Sequence, residues 1–235
     1  MDAGTRTVMI TGAAGNLGRA VARSFLAEGA NVVLVDLRRA SLEEAFGAEE
    51  SEQRLFAPAD LLEQAEANRA AKAAIERFGR IDALFNLAGG FRMGEAVHET
   101  ADKDWNFLFD VNGRTLLHAV RAVVPHMIEM GGGKVVNVGA FSAQRGVARM
   151  GAYGAAKDTV IRLTEAMAAE LREKNINVNC VLPTIIDTPE NRAAMPEADH
   201  SRWVKPEDLA HVIAFLASDG ARAIHGAAVP VTALS

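Results

Sequence analysis

The sequence predicts an α/β fold: one doubly wound domain over residues 1–235, a mostly parallel seven-stranded sheet with helices on both faces. Two observations carry this. Seven short runs rich in Val, Ile and Leu are interleaved with longer Ala-, Leu- and Glu-rich runs, and a βαβα order implies a parallel sheet sandwiched by helices. The short runs also lack strict apolar–polar alternation, as strands covered on both faces should. Hydrophobic residues make up 49% of the chain and charged residues 23%, enough to build a sizeable core.

The elements follow in order. TVMIT (7–11) reads as the first strand, ahead of a helix over about 16–28. NVVLVD (31–36) and RLFAPAD (54–60) read as the next two strands, followed by a helix over 62–78. IDALFNLAG (81–89) is the fourth strand, with a long helix expected over 103–129. KVVNVGA (134–140) precedes a helix over 153–174, and INVNCVLP (176–183) precedes one over 206–218. AAVPVT (227–232) closes the set. Gly29, Gly79 and the run Gly131–Gly133 stand where helices should stop. The segment 184–205, with two prolines and scattered apolar residues, reads as a flap.

Charge and composition narrow the partners. A net charge of −5 argues against nucleic acid or an anionic membrane surface. No apolar run is long enough to span a bilayer, and the opening MDAGTRTVMI lacks a secretory pattern. Cys180 is the only cysteine, so no internal disulfide forms, which fits a reducing cytoplasm. Within INVNCVLP it reads as a small core residue. The six histidines show no metal-ligand spacing, so no metal is expected.

Three motifs point to chemistry. TGAAGNLG places Gly12, Gly15 and Gly18 between a strand and a helix. Glycine lets a ligand approach the backbone, and the helix opening at Asn16 and Leu17 offers free N–H groups and a positive dipole end, a seat for phosphate. A tight turn without a ligand would use the same residues. Asp36 ends the second strand eighteen residues after Gly18, where a carboxylate can hold both hydroxyls of an adenosine ribose and repel a 2′-phosphate. NAD(H) is therefore expected over NADP(H), with Arg38 and Arg39 near enough to soften the preference. Asp60 and Leu61, after the third strand, are placed for the adenine edge. Asn86, Ala88 and Gly89 in NLAGG end the fourth strand, where backbone can run along a cofactor. Finally, Tyr153, the single tyrosine, lies four residues before Lys157. On a helix the two share a face, and an ammonium beside a phenol pulls its pKa down from about 10, tuning it for proton transfer.

In this order and spacing, TGAAGNLG, Asp36, NLAGG, Asn112, Tyr153 and Lys157 resemble the short-chain dehydrogenase/reductase family over nearly the whole chain. The resemblance implies a single Rossmann-like domain, hydride transfer at a nicotinamide, and a small-molecule substrate. It makes Tyr153 the general acid/base and Lys157 the residue that holds the nicotinamide ribose and acidifies the tyrosine. Asn112 becomes a support for a water-linked proton relay, and Pro183, Ile186 and Thr188 contacts of the carboxamide. It also implies a homotetramer or homodimer paired through the long helices.

One position departs. The family usually places a serine thirteen residues before the tyrosine; here that residue is Ala140, in VNVGAFSAQRG. A methyl group donates no hydrogen bond to a developing oxyanion. Ser142 replaces the hydroxyl, or is an ordinary loop residue, or the substrate needs less help. The third option fits a further resemblance: dihydropteridine reductases carry alanine here, and LPTIIDTPENRAAMPEADHSRW and LAGGFRMG resemble their flap and turn. A quinonoid substrate, a 3-oxoacyl or sugar-type substrate, and a non-catalytic dinucleotide sensor all remain open readings. Trp203, Phe91 and Met150 are candidates to line a flat-ring pocket, and Arg145, Asn191 and Arg192 to bind a polar substrate edge.

Overall fold

The computed structural model describes residues 5–235. Its centre is one sheet of seven strands in the order β3-β2-β1-β4-β5-β6-β7. The strands are β1 (Thr7–Thr11), β2 (Asn31–Val35), β3 (Arg54–Phe56), β4 (Ala83–Asn86), β5 (Gly133–Val138), β6 (Ile176–Pro183) and β7 (Ala228–Val231). Every neighbouring pair is parallel, a stricter arrangement than the mostly parallel sheet expected. The helices are α1 (Asn16–Ala27), α2 (Arg39–Phe46), α3 (Gln64–Phe78), α4 (Asp102–Phe109), α5 (Thr115–Glu129), α6 (Gly151–Leu171), α7 (Pro189–Ala194) and α8 (Pro206–Leu216).

The missing alternation in the strands has a direct cause: both faces are covered. Met9 of β1 packs into a cluster with Ala67 of α3, Val123 of α5 and Val160 of α6. Its neighbours Val8 and Ile10 face the opposite cluster with Val21 of α1, Leu42 of α2 and Leu209 of α8. Helix α1 shows how its sequence chooses a face. Gly18, Val21, Ala22 and Phe25 are buried, the i, i+3, i+4, i+7 stripe of an amphipathic helix.

Element assignments differ from those read off the sequence at several places. Helix α2 sits in a stretch expected to be loop; it buries only Leu42, too little apolar periodicity to announce it. The helix expected over 103–129 is broken into α4 and α5 by a π-helical turn, Asp110–Arg114. The third strand stops at Phe56, although the N–H groups of Ala57 and Ala59, on either side of Pro58, still donate to the carbonyls of Leu34 and Asp36.

The topology fixes where a ligand can go. The chain moves outward from β1 to β2 and β3, then crosses back to β4 on the other side of β1. Where the order reverses, the connections after β1 and β4 diverge and leave a crevice at the carboxyl ends of the strands.

Candidate active site

That crevice is a cleft of about 780 Å³. Its floor is the turn after β1. Gly12 adopts φ +64°, and a Cβ there would lie 2.8 Å from the Ala88 backbone nitrogen. Only glycine lets the turns after β1 and β4 touch. Gly15 lines the cleft and caps α1 without a side-chain hydrogen bond, and no acidic residue sits in the first turn of the helix. The amino end of α1 therefore presents bare N–H groups and a positive dipole to the cleft. The walls also hold Asp36, Asp60, Leu61, Ala88 and Gly89.

At one end, the Asp36 carboxylate is held by the N–H groups of Ala14 (3.0 Å) and Leu37 (2.9 Å). Asp60 accepts from the Leu62 N–H at 2.9 Å. Among the wall residues that escaped the sequence reading are Leu37, 62% exposed, and Leu62, 39% exposed. Their signal was an apolar residue directly after a strand-ending Asp or beside its neighbour. Arg39, a possible 2′-phosphate ligand, is drawn away by Glu43 at 2.8 Å and by Glu50.

At the other end, the π-helical turn pushes Asn112 inward. Its amide donates to the carbonyls of Gly90 (3.0 Å) and Leu108 (2.9 Å), and its oxygen accepts from the Gly90 N–H. Gly89 closes the cleft here. A Cβ on it would meet Asn112 Oδ1 at 2.8 Å and Lys157 Nζ at 3.2 Å, so the cleft ends directly against these two side chains.

Tyr153 and Lys157 lie on the first turns of α6, as the four-residue spacing predicts. The expected acidification of the phenol is not seen in this geometry. Lys157 is buried and donates to the Val138 carbonyl at 2.9 Å, while Tyr153 packs edge-on against Phe91 with ring centroids 4.8 Å apart. Burial pushes the phenol up to about 12 and Lys157 down to about 8. Desolvation outweighs any lysine field, because no charge is held against the hydroxyl. Tyr153 also lines a second cleft of about 210 Å³ with Met150, Arg92 and Arg149. Cys180, fully buried, has its thiol raised by desolvation to about 11, which leaves it inert.

Ala140 is buried beneath this end. Ser142 sits on the 3₁₀ turn Phe141–Gln144, half-buried, and its hydroxyl makes no hydrogen bond among the described residues.

The segment 184–205 is more built than a loose flap. Thr188 caps α7 by accepting from the Asn191 N–H at 3.2 Å, and Ile186 bridges Val204. Trp203 is 5% exposed and packs on His200, so it is core and not a pocket wall. Arg192 is committed to Asp187 at 2.8 Å, and the Asn191 amide to the Ile186 carbonyl. Neither is free for substrate. Phe91 and Met150 do flank Tyr153, and Arg145 is exposed at the end of the 3₁₀ turn.

Comparison with known proteins gives this geometry a family. The short chain dehydrogenase family model matches residues 6–199. The chain belongs to that family. It is 35% identical over 234 residues to (2S)-[(R)-hydroxy(phenyl)methyl]succinyl-CoA dehydrogenase subunit BbsD of Thauera aromatica, covering 94% of this chain and 92% of that one. It is 30% identical to the 3-oxoacyl-[acyl-carrier-protein] reductase FabG of Thermotoga maritima, covering 96% of each. Among solved structures it resembles a 3-ketoacyl-(acyl-carrier-protein) reductase from Brucella melitensis complexed with NADH, with a TM-score of 0.86, 30% identity and 97% of each chain covered. As a short-chain dehydrogenase, the chain is an oxidoreductase of the NAD(P)-dependent class.

Within this short-chain dehydrogenase, four of the expected cofactor residues turn away from the cleft. A Cβ on Gly18 would lie 2.3 Å from the Gly12 carbonyl oxygen, so this glycine seats the helix on the turn. Leu17, on α1, is partly buried and packs against the core. Asn86 is buried, its amide donating to Asn137 Oδ1 at 2.8 Å inside the sheet. Pro183 is buried at the end of β6.

Proposed function

We propose that this short-chain dehydrogenase is an NAD(H)-dependent enzyme that acts on a small carbonyl- or quinonoid-type substrate, with Tyr153 as general acid/base. The observation that carries the reading is the junction at Gly89. A cleft floored by bare backbone ends against Asn112 and Lys157, one helical turn from the tyrosine. The residues fit a dinucleotide: Gly12 and Gly15 leave backbone open for a pyrophosphate, Asp36 suits the ribose hydroxyls, and Leu37 and Leu62 offer apolar faces for the base. Asp36, with Arg39 held off by Glu43, favours NAD(H) over NADP(H). Gly12, Gly15, Asn16, Asp36, Asp60, Leu61, Ala88 and Gly89 would contact the cofactor, and Ile186 and Thr188 would approach its carboxamide.

A bound nicotinamide supplies or accepts the hydride. The chain's own part is proton management. Tyr153, protonated well above neutral pH, gives its hydroxyl proton to the substrate oxygen as the carbon is reduced. The phenolate left behind needs a counter-charge, which Lys157, one helical turn away, would supply by turning from the Val138 carbonyl, and Asn112 holds the Gly90 backbone in register beside it. The reading is tested by titrating NADH and NADPH against protein fluorescence, and by following NADH oxidation with quinonoid pterins, quinones, diketones, 3-oxoacyl thioesters and sugars. Tighter binding of NADH with turnover on at least one class is expected. Tight binding without turnover on any would make the protein a dinucleotide sensor.

Ala140 favours a second reading within the same chemistry, reduction of a quinonoid, pterin-like substrate that needs no serine donor. Restoring the donor with Ala140→Ser should raise turnover of simple ketones by about tenfold or more, by analogy with oxyanion-hole donors, and leave quinonoid turnover little changed. We also expect a homodimer or homotetramer in a cytoplasmic setting. The motive is exposed apolar surface on the helices: Trp105 is 44% and Ile128 39% exposed. Among the described residues no helix is long and apolar enough to cross a membrane.

A further inference from the structure

A carboxylate reaches into the phosphate-facing part of the cleft from a distant stretch of chain. Glu190, on α7, accepts a hydrogen bond from Asn16 Nδ2 at 2.9 Å, across 174 residues of sequence. Asn16 is the first residue of α1, and its oxygen in turn accepts from Arg19 at 2.6 Å. Glu190, Asn16 and Arg19 all line the same cleft as Gly12 and Gly15. The carboxylate is held below its usual pKa first by its own N–H, then by the hydroxyl of Thr188 and the amide of Asn16. Asn16 and Thr188 are two of the residues that the reading above gives to the cofactor. In this structure both serve an internal anion.

We propose that Glu190 is an anionic place-holder for the pyrophosphate: it latches α7 onto the glycine turn, and an incoming dinucleotide has to displace it. The proposal rests on the dinucleotide reading. Two like charges cannot share the amino end of α1 without strong repulsion, so seating a pyrophosphate there drives Glu190 out. The latch has few other ties to that turn. Ahead of α7 the chain is held by the Ile186–Val204 bridge, and Arg192 of α7 pairs with Asp187 at the helix's own base, so α7 and its base can swing together about that bridge. Cofactor arrival thereby frees the segment that borders the reaction end.

The experiment compares the parent chain with Glu190→Gln, which keeps the shape and loses the charge. NADH affinity is read from protein fluorescence, and hydrogen exchange is followed over 189–194 without cofactor. A latch closed most of the time lowers apparent affinity by the fraction of protein left open. Glu190→Gln should therefore bind NADH about three- to tenfold more tightly and exchange faster over 189–194. Equal or weaker NADH binding, or unchanged exchange, overturns the place-holder and leaves the dinucleotide reading standing. A parent chain that binds no NADH overturns that reading, and the place-holder with it.

Discussion

At the nucleotide end of the cleft, the ligand-facing groups are backbone and one well-held carboxylate; at the reaction end, they are buried side chains with displaced titrations. Gly12, Ala14 and Gly15 offer main chain, and Asp36 is fixed by two N–H donors. Tyr153 and Lys157 instead sit where burial opposes ionisation, at about 12 and about 8. The first end is prepared by folding, through main chain and a carboxylate fixed by two N–H donors. The second keeps an ammonium in an apolar setting that favours its loss. Binding and chemistry should thus respond differently to substitution and to pH.

The largest difference is expected from Tyr153→Phe. It removes the proton donor and leaves the glycine turn untouched, so turnover should fall by about 10²–10⁴-fold with NADH affinity nearly unchanged. Single-turnover rates and fluorescence titration together check this. A variant that turns over at the parent rate would remove the proton role from this residue.

Lys157→Met should separate stability from activity. A lysine shifted from 10.5 to about 8 costs the folded state about 3 kcal/mol at neutral pH, at about 1.4 kcal/mol per unit. Losing the bond to the Val138 carbonyl gives back about 1 kcal/mol of that. The variant should be about 2 kcal/mol more stable at pH 7 and nearly inactive, as read by denaturant unfolding and by turnover. The pH dependence carries a sign. Below the folded value near 8, both folded and unfolded chains hold the proton and the full penalty applies. Between there and the ordinary lysine value, only the unfolded chain binds it, so parent stability should rise with pH across that window. The methionine variant should lack this rise. Parent activity should fall over the same range as the ammonium is lost.

The smallest of the three effects is expected from Gly18→Ala. Its new Cβ meets the Gly12 carbonyl at 2.3 Å and Ala13 atoms at 2.7 Å, all backbone that cannot step aside. Overpacking of this kind costs about 1–3 kcal/mol. The loss should appear in thermal unfolding, and NADH affinity should fall with it as the turn shifts. A variant with parent stability would mean that α1 moves freely on the turn.

The strands were legible because burial on both sheet faces leaves near-continuous apolar runs, as in NVVLV and INVNCVLP. Helix α2 was not, since a helix that buries one side chain carries almost no periodic signal. In the site, glycines and Asp36 could be located from spacing, but not which way each faces. Gly15 opens to the cleft while Gly18 packs against the turn, and both read alike as letters. Asn86 points into the sheet because Asn137 waits there on the next strand, a cross-strand fact that a linear pattern does not contain. Glu190 was hidden for the same reason: its partner, Asn16, lies at the far end of the chain.

The π-helical turn at Asp110–Arg114 sets the phase between two rods. Each residue advances an α-helix by about 100°, so deleting one residue there would restore a continuous helix and rotate everything beyond it by about that angle. Leu116, Ala119, Val120, Val123 and Met127, which now face the sheet, would swing sideways, and Asn112 would lose its grip on Gly90. The widened turn thus acts as a gear tooth, meshing the stripe that anchors α5 with the amide that steadies the reaction end.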